Sequence, residues 1–248
     1  AEYVQAKKNV FEYQNEAGKV VLNYDNGITR GFAADAKGTV EFFSRQTRPE
    51  NGVYLEDGVI YRNGKKIMAA ADIRIPGVHN IENYMAAACA VEGLARDEDI
   101  DEVARTFAGV EHRIEFVREL DGVKYYNDSI ASSPSRTIAG LHSFQQKLVL
   151  IAGGYDKKIP FDVLGPEICA HVRLLLLCGA TAEKIEAAVQ NAPDYRPGQP
   201  EILHAQTLAE AVQLAKTHTV PGDIVTLSPA CAAFDQFKNF MVRGETYK

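Results

Sequence analysis

The amino-acid sequence predicts an α/β fold in two parts, with the change of character near residue 112. Short strand-like runs separated by tight turns fill residues 9–75. An amphipathic period of three and four residues begins at Asn80 and marks a helix. After residue 123, apolar strands alternate with helices. That alternation is typical of a mostly parallel sheet covered on both faces.

Turn residues define the strands of the first part. Asp57-Gly58 and Asn63-Gly64 are hairpin signals that bound a strand over Val59–Arg62. Further strands are predicted over Lys19–Asn23, residues 39–43 and residues 52–55. A second helix is predicted near residues 100–108, with Gly109 at its end.

The second part begins with a hairpin and continues as strand–helix units. Asp121-Gly122 joins strands predicted over residues 114–120 and 123–126. Ser133 and Pro134 suit the N-cap and the first position of a helix. Later strands are predicted over residues 147–152, 172–178, 201–203 and 223–227. Later helices are predicted over residues 163–170, 182–190 and 208–217, and a closing helix from Ala233.

Composition excludes several classes of protein. The 248 residues carry a net charge of −6, which argues against non-specific nucleic-acid binding. No apolar run approaches the roughly 20 residues of a membrane span. The four cysteines form no CxxC pair, so buried free thiols in a reducing cytoplasm are expected. The polar opening of the chain is unlike a signal peptide, and we expect the chain to be a piece of a longer protein.

Polar and small residues follow three strands of the second part, where parallel sheets collect ligands. Residues 127–134 offer a carboxylate, hydroxyls and a helix start, suited to an anion or to a capped turn. Residues 153–158 pair two glycines with two lysines, and glycine allows close approach of the backbone. The small residues within 228–240 would allow backbone amides to face a ligand. The alternative is that the aromatic residues of this segment simply belong to the core.

Other candidates are weaker when taken singly. Asn80 and Asn83 lie in one helical turn, where such amides read a base edge or cap the helix. The guanidinium of Arg113 suits phosphate, although a lone arginine is usually surface. The sequence supports no pairing of Cys231 with a histidine, so Cys231 is not expected to be a nucleophile. The chain contains no GxxxxGK[ST] phosphate-binding loop.

Taken in order, these motifs resemble the Mur ligases, most of all the members that add D-glutamate. The resemblance rests on HNxxN at residues 79–83, HR at 112–113, YYNDS at 125–129, GGYDK at 153–157 and SPACAAFDQFKNF at 228–240. It implies that residues 1–112 are the C-terminal half of a central ATP-binding domain. Residues 113–248 would then be a Rossmann-like C-terminal domain. The family's phosphate-binding loop and its metal-binding Glu and His are expected before Ala1, so this chain alone is expected to be inactive.

The resemblance also implies a reaction. ATP, with Mg²⁺, phosphorylates the alanyl carboxylate of UDP-N-acetylmuramoyl-L-alanine, and the amine of D-glutamate attacks the acyl phosphate. A cytoplasmic monomer with no nucleic-acid or membrane partner is expected. The alternatives are a ligase for another amino acid, a folylpolyglutamate-type ligase, or a non-catalytic nucleotide- or amino-acid-binding α/β module.

Residue roles follow from the same resemblance. Lys7 matches a lysine that becomes a Mg²⁺ ligand when carbamoylated, and with Arg113, a phosphate contact, it is the expected catalytic pair. The ATP contacts expected besides Arg113 are Asn80 and Asn83 at adenine and Asp128 at ribose. The expected D-glutamate contacts are Ser132, Lys157, Phe234 and Phe240. The chain departs from many relatives at Ile130, where they carry Lys, and at Ala233, where they carry Ser. Either Lys158 or Arg136 would then replace the cation lost at Ile130, or the D-glutamate pocket would be organised differently.

Overall fold

A computed structural model describes residues 2–248, and the chain forms two compact units. The first unit ends at Phe107, and the second runs from Ala108 to Lys248. The division therefore lies a few residues before the predicted domain boundary at residue 112.

Within residues 2–107, the strands form a mixed sheet in the order β1-β2-β3-β4-β5. The first three strands are parallel, and the last three form two antiparallel hairpins. The strands are β1 (Lys19–Asn23), β2 (Thr39–Ser44), β3 (Gly52–Glu56), β4 (Val59–Arg62) and β5 (Lys65–Ala69).

The hairpins confirm the predicted turns. Asp57 and Gly58 have φ values of 48° and 74°, and Asn63 and Gly64 have 47° and 87°. Positive φ at both central residues is the condition for the tight turns that match the twist of paired strands. Strand β4 has the predicted bounds because a turn residue fixes each of its ends.

Four α-helices accompany this sheet within residues 2–107. They are α1 (Glu2–Glu12), α2 (Gly27–Gly31), α3 (Val78–Ala90) and α4 (Asp97–Thr106). The predicted helix α3 buries Tyr84, Met85 and Ala88 against β-strand residues such as Ile60. Helix α1 was not predicted from the sequence, because few of its side chains are buried. Phe11 is its buried residue, with its ring 5.7 Å from that of Phe32.

The second unit has a six-stranded sheet in the order β10-β9-β8-β11-β7-β6. All neighbours are parallel except the β6–β7 hairpin, which confirms the mostly parallel prediction. The strands are β6 (Glu115–Leu120), β7 (Val123–Asn127), β8 (Leu148–Ala152), β9 (Val172–Leu177), β10 (Glu201–His204) and β11 (Ile224–Leu227).

Helices cover both faces of this sheet, as predicted. Alternate residues of β8 point to opposite faces: Leu150 packs in the same cluster as α6 and α7, and Val149 in the cluster of α8. The helices are α5 (Pro134–Leu141), α6 (Leu164–His171), α7 (Ala182–Gln190), α8 (Leu208–Thr217) and α9 (Phe240–Tyr247).

The predicted closing helix from Ala233 is wrong. Helix α9 begins at Phe240, and Asn239 caps it by accepting from the N–H of Val242 at 2.9 Å. Residues 228–239 are irregular because their backbone groups bond other loops. The carbonyl of Ala232, for example, accepts from the N–H of Tyr155 at 2.9 Å.

Strand order decides where the candidate site lies. Strand β11 lies between β7 and β8, and Leu227 pairs with both Asn127 and Ile151. The loops that follow these three strands therefore begin side by side at one edge. Nowhere in residues 2–248 is there a helix both long and apolar enough to cross a membrane.

Candidate functional site

The turn after β7 is fastened on three sides. The N–H of Asp128 donates to the carbonyl of Leu227 at 2.8 Å. The Asp128 carboxylate accepts from Ser228 Oγ at 2.8 Å and from the N–H of Ile114 at 3.3 Å. The side chains of Asn127 and His112 are hydrogen-bonded at 2.9 Å. The predicted phosphate and ribose segments thus form one connected structure.

The segment that carries Arg113 has an unusual backbone. His112 and Ile114, on either side of it, have φ values of 64° and 45°. The left-handed region is costly for a β-branched residue such as isoleucine. The bonds of Ile114 to Asp128 and of His112 O to the N–H of Ile130, at 3.1 Å, hold this conformation. Arg113 itself is exposed.

Burial controls the charge of Asp128. The residue is 4% exposed, and burial raises the pKa of its carboxyl to about 7. The bonds from Ser228 and Ile114 and the charges of Arg113 and Arg136 act in the opposite direction. Both carboxylate oxygens already accept hydrogen bonds within the protein. A ribose hydroxyl at this position would share an oxygen that is already in use.

Both glycines of the loop after β8 pack closely against the backbone of other loops. A Cβ on Gly153, at φ 113°, would lie 1.9 Å from the carbonyl oxygen of Cys178. A Cβ on Gly154, at φ 147°, would lie 2.5 Å from the carbonyl oxygen of Ala232. Glycine is therefore required here by close packing of the strand-end loops. The sequence had suggested approach to a ligand as the reason.

A fourth strand-end loop, after β9, was missed by the sequence analysis. Thr181 Oγ1 bonds both the N–H and the carbonyl of Gly154, each at 3.1 Å, and lies 3.0 Å from Cys231 Sγ. Burial raises the pKa of the Cys231 thiol to about 11. The thiol is therefore protonated at neutral pH, in line with the expectation that Cys231 is no nucleophile. All four cysteines are buried and free, as predicted.

Arg243 of α9 joins the loops that follow β7 and β11. Its guanidinium donates to Ser129 Oγ at 3.0 Å, to the carbonyl of Ser129 at 2.8 Å, and to the carbonyls of Cys231 and Ala232 at 3.0 and 3.1 Å. The residue is 3% exposed, and burial lowers its pKa to about 10. A single arginine in a closing helix has no distinguishing spacing, so the sequence did not single it out. We call the buried set His112, Ile114, residues 127–129, Ser228 and Arg243 the inner frame.

Three of the predicted D-glutamate contacts lie outside the inner frame. Lys157 Nζ lies 3.5 Å from Ser132 Oγ, so the loops after β7 and β8 bring these two residues together. Phe234 is 64% exposed, and its ring lies edge-on to that of Tyr155 at 6.0 Å. We call Ser132, Lys157 and Phe234 the outer rim.

The fourth predicted D-glutamate contact, Phe240, lies against the inner frame. Its carbonyl accepts from Ser129 Oγ at 2.7 Å, and its ring centroid is 5.9 Å from that of His112. The side chain is half-buried. Ile130 is half-buried as well, and Arg136 is the exposed cation whose charge acts on nearby Asp128.

The candidates of the first unit form two separate features. Asn80 is buried and donates to the carbonyl of Pro76 at 2.6 Å, and its Oδ1 accepts from Asn83 Nδ2 at 3.1 Å. Asn83 is exposed and is the member of this pair that a ligand can reach. Lys7 is exposed on α1, with Nζ 5.2 Å from the centroid of the Tyr3 ring.

The residues described do not by themselves form a Mg²⁺ site around Lys7. Mg²⁺ requires oxygen ligands in near-octahedral geometry. Two groups of three His, Cys, Asp or Glu side chains converge within residues 2–248, and both belong to the second unit. Neither group therefore belongs to the first unit, which carries Lys7. The part of the chain that the structure describes therefore offers no ligand set for Mg²⁺ around Lys7.

Comparison with protein-family models matches most of the chain. Residues 1–91 match the Mur ligase middle domain, and residues 112–231 match the Mur ligase, glutamate ligase domain. The whole chain is 54% identical to the UDP-N-acetylmuramoylalanine–D-glutamate ligase of Acetivibrio thermocellus and 50% identical to that of Clostridium beijerinckii. In both cases the chain spans 54% of the relative, about half its length.

Solved structures share the fold at low sequence identity. One is the UDP-N-acetylmuramoylalanyl-D-glutamyl-2,6-diaminopimelate–D-alanyl-D-alanyl ligase of Acinetobacter baumannii. It is 16% identical, with a TM-score of 0.67 over 98% of this chain and 54% of its own. Another is the UDP-N-acetylmuramate–alanine ligase of Thermotoga maritima, 14% identical, with a TM-score of 0.59 over 90% of this chain and 55% of its own.

Proposed function

Because the chain belongs to the Mur ligase family, we propose that it acts in the ATP-dependent addition of D-glutamate to UDP-N-acetylmuramoyl-L-alanine, a step of peptidoglycan precursor synthesis. The observation that carries this proposal is the outer rim. An exposed ammonium, Lys157, and the hydroxyl of Ser132 lie 3.5 Å apart, in the loops that follow β8 and β7, the strands on either side of β11. An amino-acid carboxylate is the ligand that such a pair suits.

The outer rim would hold the amino acid. Lys157 pairs with a carboxylate of D-glutamate, and Ser132 donates a hydrogen bond beside it. Phe234 contributes an exposed apolar ring next to these groups. Phe240, whose ring packs against His112, would contact the amino acid from the side of the inner frame. Arg136, which is exposed and whose charge acts on Asp128, or Lys158, also exposed, would replace the lysine absent at Ile130.

The ATP contacts would come from two places in the chain. Asn83, oriented by its bond to Asn80, reads the adenine edge. Arg113 contacts a phosphate, and Asp128 contacts the ribose. An exposed guanidinium held on a constrained backbone needs little further ordering to bind an anion.

The proposed chemistry has two steps. The alanyl carboxylate oxygen attacks the γ-phosphorus of ATP, ADP leaves, and an acyl phosphate forms. The amine nitrogen of D-glutamate then attacks the acyl carbon, phosphate leaves, and an amide bond forms. Positioning of the amine near the acyl carbon is the contribution we assign to the second unit.

We assign no step to Mg²⁺, because the described residues do not supply its ligands around Lys7. Lys7 is therefore proposed to be an ordinary amine in this chain. Carbamate density on Lys7 in an experimental structure of the 248-residue chain would contradict this.

The remaining assignments follow from the family. We propose that residues 1–112 belong to the central ATP-binding domain and residues 113–248 to the C-terminal domain. We further propose a cytoplasmic monomer with no nucleic-acid or membrane partner.

The decisive experiment measures phosphate release and product mass with ATP, UDP-N-acetylmuramoyl-L-alanine and an amino acid. In the longest form of the protein that can be expressed, D-glutamate should give product and L-glutamate should not. The 248-residue chain by itself is expected to give none. Product with another amino acid would favour a different ligase of the family. Tight binding of D-glutamate and ATP without any product, in every form, would favour a non-catalytic module.

A further inference from the structure

A second cluster of side chains lies in the second unit, outside the candidate site. It consists of His142, which follows the last residue of α5, and Glu167 and His171 on α6. Because α5 begins at Pro134, beside Ser132, His142 is at the opposite end of that helix from the outer rim.

The three side chains converge through their ligand atoms. His142 Nε2 lies 2.6 Å from Glu167 Oε2, and His171 Nε2 lies 3.6 Å from the same oxygen. One ligand atom from each of the three residues lies within 4.8 Å of the other two. The imidazole rings are tilted against each other, with centroids 4.8 Å apart.

These donors and spacings match a zinc-type ion. Two imidazoles and one carboxylate are a usual ligand set for Zn²⁺, with water in the fourth position. Tetrahedral bonds of about 2.0–2.1 Å place ligand atoms about 3.3 Å apart, so small side-chain rotations would fit the cluster to an ion. Borderline cations such as Zn²⁺ prefer nitrogen donors, whereas Mg²⁺ and Ca²⁺ prefer oxygen alone.

The position of the histidines also favours a cation. His142 is the C-cap of α5, and His171 is the last residue of α6. The carbonyl ends of helices carry partial negative charge, which stabilises positive charge placed there. Two helix C-termini thus meet at the cluster.

Two other groups of acidic and histidine side chains in the second unit are less suited to bind a metal ion. Glu111, His112 and Glu245 also converge, but the ammonium of Lys248 lies 3.3 Å from Glu111 and 3.1 Å from Glu245 and so already occupies that position. His204 Nε2 lies 2.6 Å from Glu186 Oε2, the same distance as in the His142 pair. That pair has one histidine and belongs to neither group of three.

We propose that His142, Glu167 and His171 bind one divalent transition-metal ion of the zinc class, which links the end of α5 to α6. The ion would tie together two helices that cover the same face of the sheet. The proposal does not depend on the proposed ligase activity.

Calorimetric titration of the untagged, chelator-treated 248-residue chain with ZnSO₄ tests the site. One ion should bind per chain. His171→Asn and Glu167→Gln should each weaken binding by about tenfold or more, because each removes one of three ligands. His204→Asn is the matched control and should leave the affinity unchanged. MgCl₂ should produce no binding heat.

Thermal unfolding separates loss of a ligand from loss of fold. In EDTA, the three variants and the wild-type chain should melt at the same temperature. Zn²⁺ should raise the melting temperature of the wild type and of His204→Asn, because an ion that binds the folded state stabilises it, and the same Zn²⁺ concentration should raise that of His171→Asn by less. Absence of Zn²⁺ binding to the wild type, or equal affinity in all variants, would overturn the proposal.

Discussion

The inner frame and the outer rim lie at the same edge of one sheet and are built in opposite ways. The inner frame is buried, and its polar groups bond one another, as Arg243 does with the carbonyls of Ser129, Cys231 and Ala232. The outer rim is largely exposed, and Lys157 has a single long bond, 3.5 Å, to Ser132.

The difference separates two tasks. Buried polar groups cost free energy unless they are paired, so the inner frame must be nearly complete before any ligand arrives. Exposed groups keep their hydration and can exchange it for a ligand. We therefore expect the inner frame to hold the loops in position and the outer rim to bind the ligand. Four substitutions test this division, starting with the one expected to have the largest effect.

Removing the guanidinium from the frame should destabilise the second unit most. Arg243→Met leaves the carbonyls of Ser129 and Cys231 without their donor and removes one of the two donors of the Ala232 carbonyl, which keeps the N–H of Tyr155. We expect the free energy of unfolding to fall by about 3 kcal/mol or more. Urea denaturation measures it. Arg118→Met, at an exposed arginine, is the control and should change stability by less than about 0.5 kcal/mol. If both variants lost the same free energy of unfolding, Arg243 would contribute no more to stability than an exposed arginine does.

Asp128→Asn tests the frame through pH. Because burial raises the folded-state pKa of Asp128 to about 7 from 3.8, the folded state binds a proton more tightly than the unfolded state between these values. Its contribution to stability is therefore fully present below pH 3.8 and is lost as pH rises to about 7, by up to about 4 kcal/mol. Relative to the wild type, Asp128→Asn should gain stability as pH rises through this window.

Asp156, in the loop that carries Lys157, should show the opposite dependence of stability on pH. Its bond to Lys184 lowers the pKa of its carboxyl, so its contribution is present above the unfolded-state pKa and is lost on acidification. The difference between wild type and Asp156→Asn should therefore shrink as pH falls. Unfolding curves at a series of pH values measure both variants. Parallel pH profiles for Asp128→Asn and Asp156→Asn would refute the distinction between frame and loop.

Lys157→Gln should change stability least and binding most clearly. Loss of an exposed lysine is expected to change the free energy of unfolding by less than about 0.5 kcal/mol. Binding of D-glutamate, measured by calorimetry, should weaken by about tenfold, the value of one charge-assisted bond. Lys216→Gln, at an exposed lysine of α8, should bind as the wild type does. Unchanged affinity in Lys157→Gln would remove Lys157 from the site.

Short-range features were predictable from the sequence. The turns at Asp57-Gly58 and Asn63-Gly64 bound β4 because few residues adopt positive φ at low cost. Helix α8 has its predicted bounds because Thr207 caps its start, and Leu208, Ala211 and Ala215 repeat along one buried face. These signals are local and survive whatever packs around them.

Errors and omissions arose where distant loops meet. The closing helix is predicted seven residues early because the apolar residues after Ala233 resemble a helical stripe, whereas the carbonyl of Ala232 bonds another loop and Asn239 caps a helix that begins at Phe240. Thr181 and Arg243 were missed because their partners are 27 and 114 residues away in the chain. No periodicity marks such contacts.

The sequence by itself determined the two-part α/β organisation, the hairpins, the parallel second sheet and the residues that follow its strands. Backbone preference and apolar periodicity act over a few residues, so a sequence displays them directly. Only the tertiary structure decided that β11 lies between β7 and β8. That order buries Asp128 beside Ser228, surrounds Arg243 with carbonyls and leaves Lys157 exposed. Burial and pairing depend on neighbours distant in sequence, and they separate the frame from the rim.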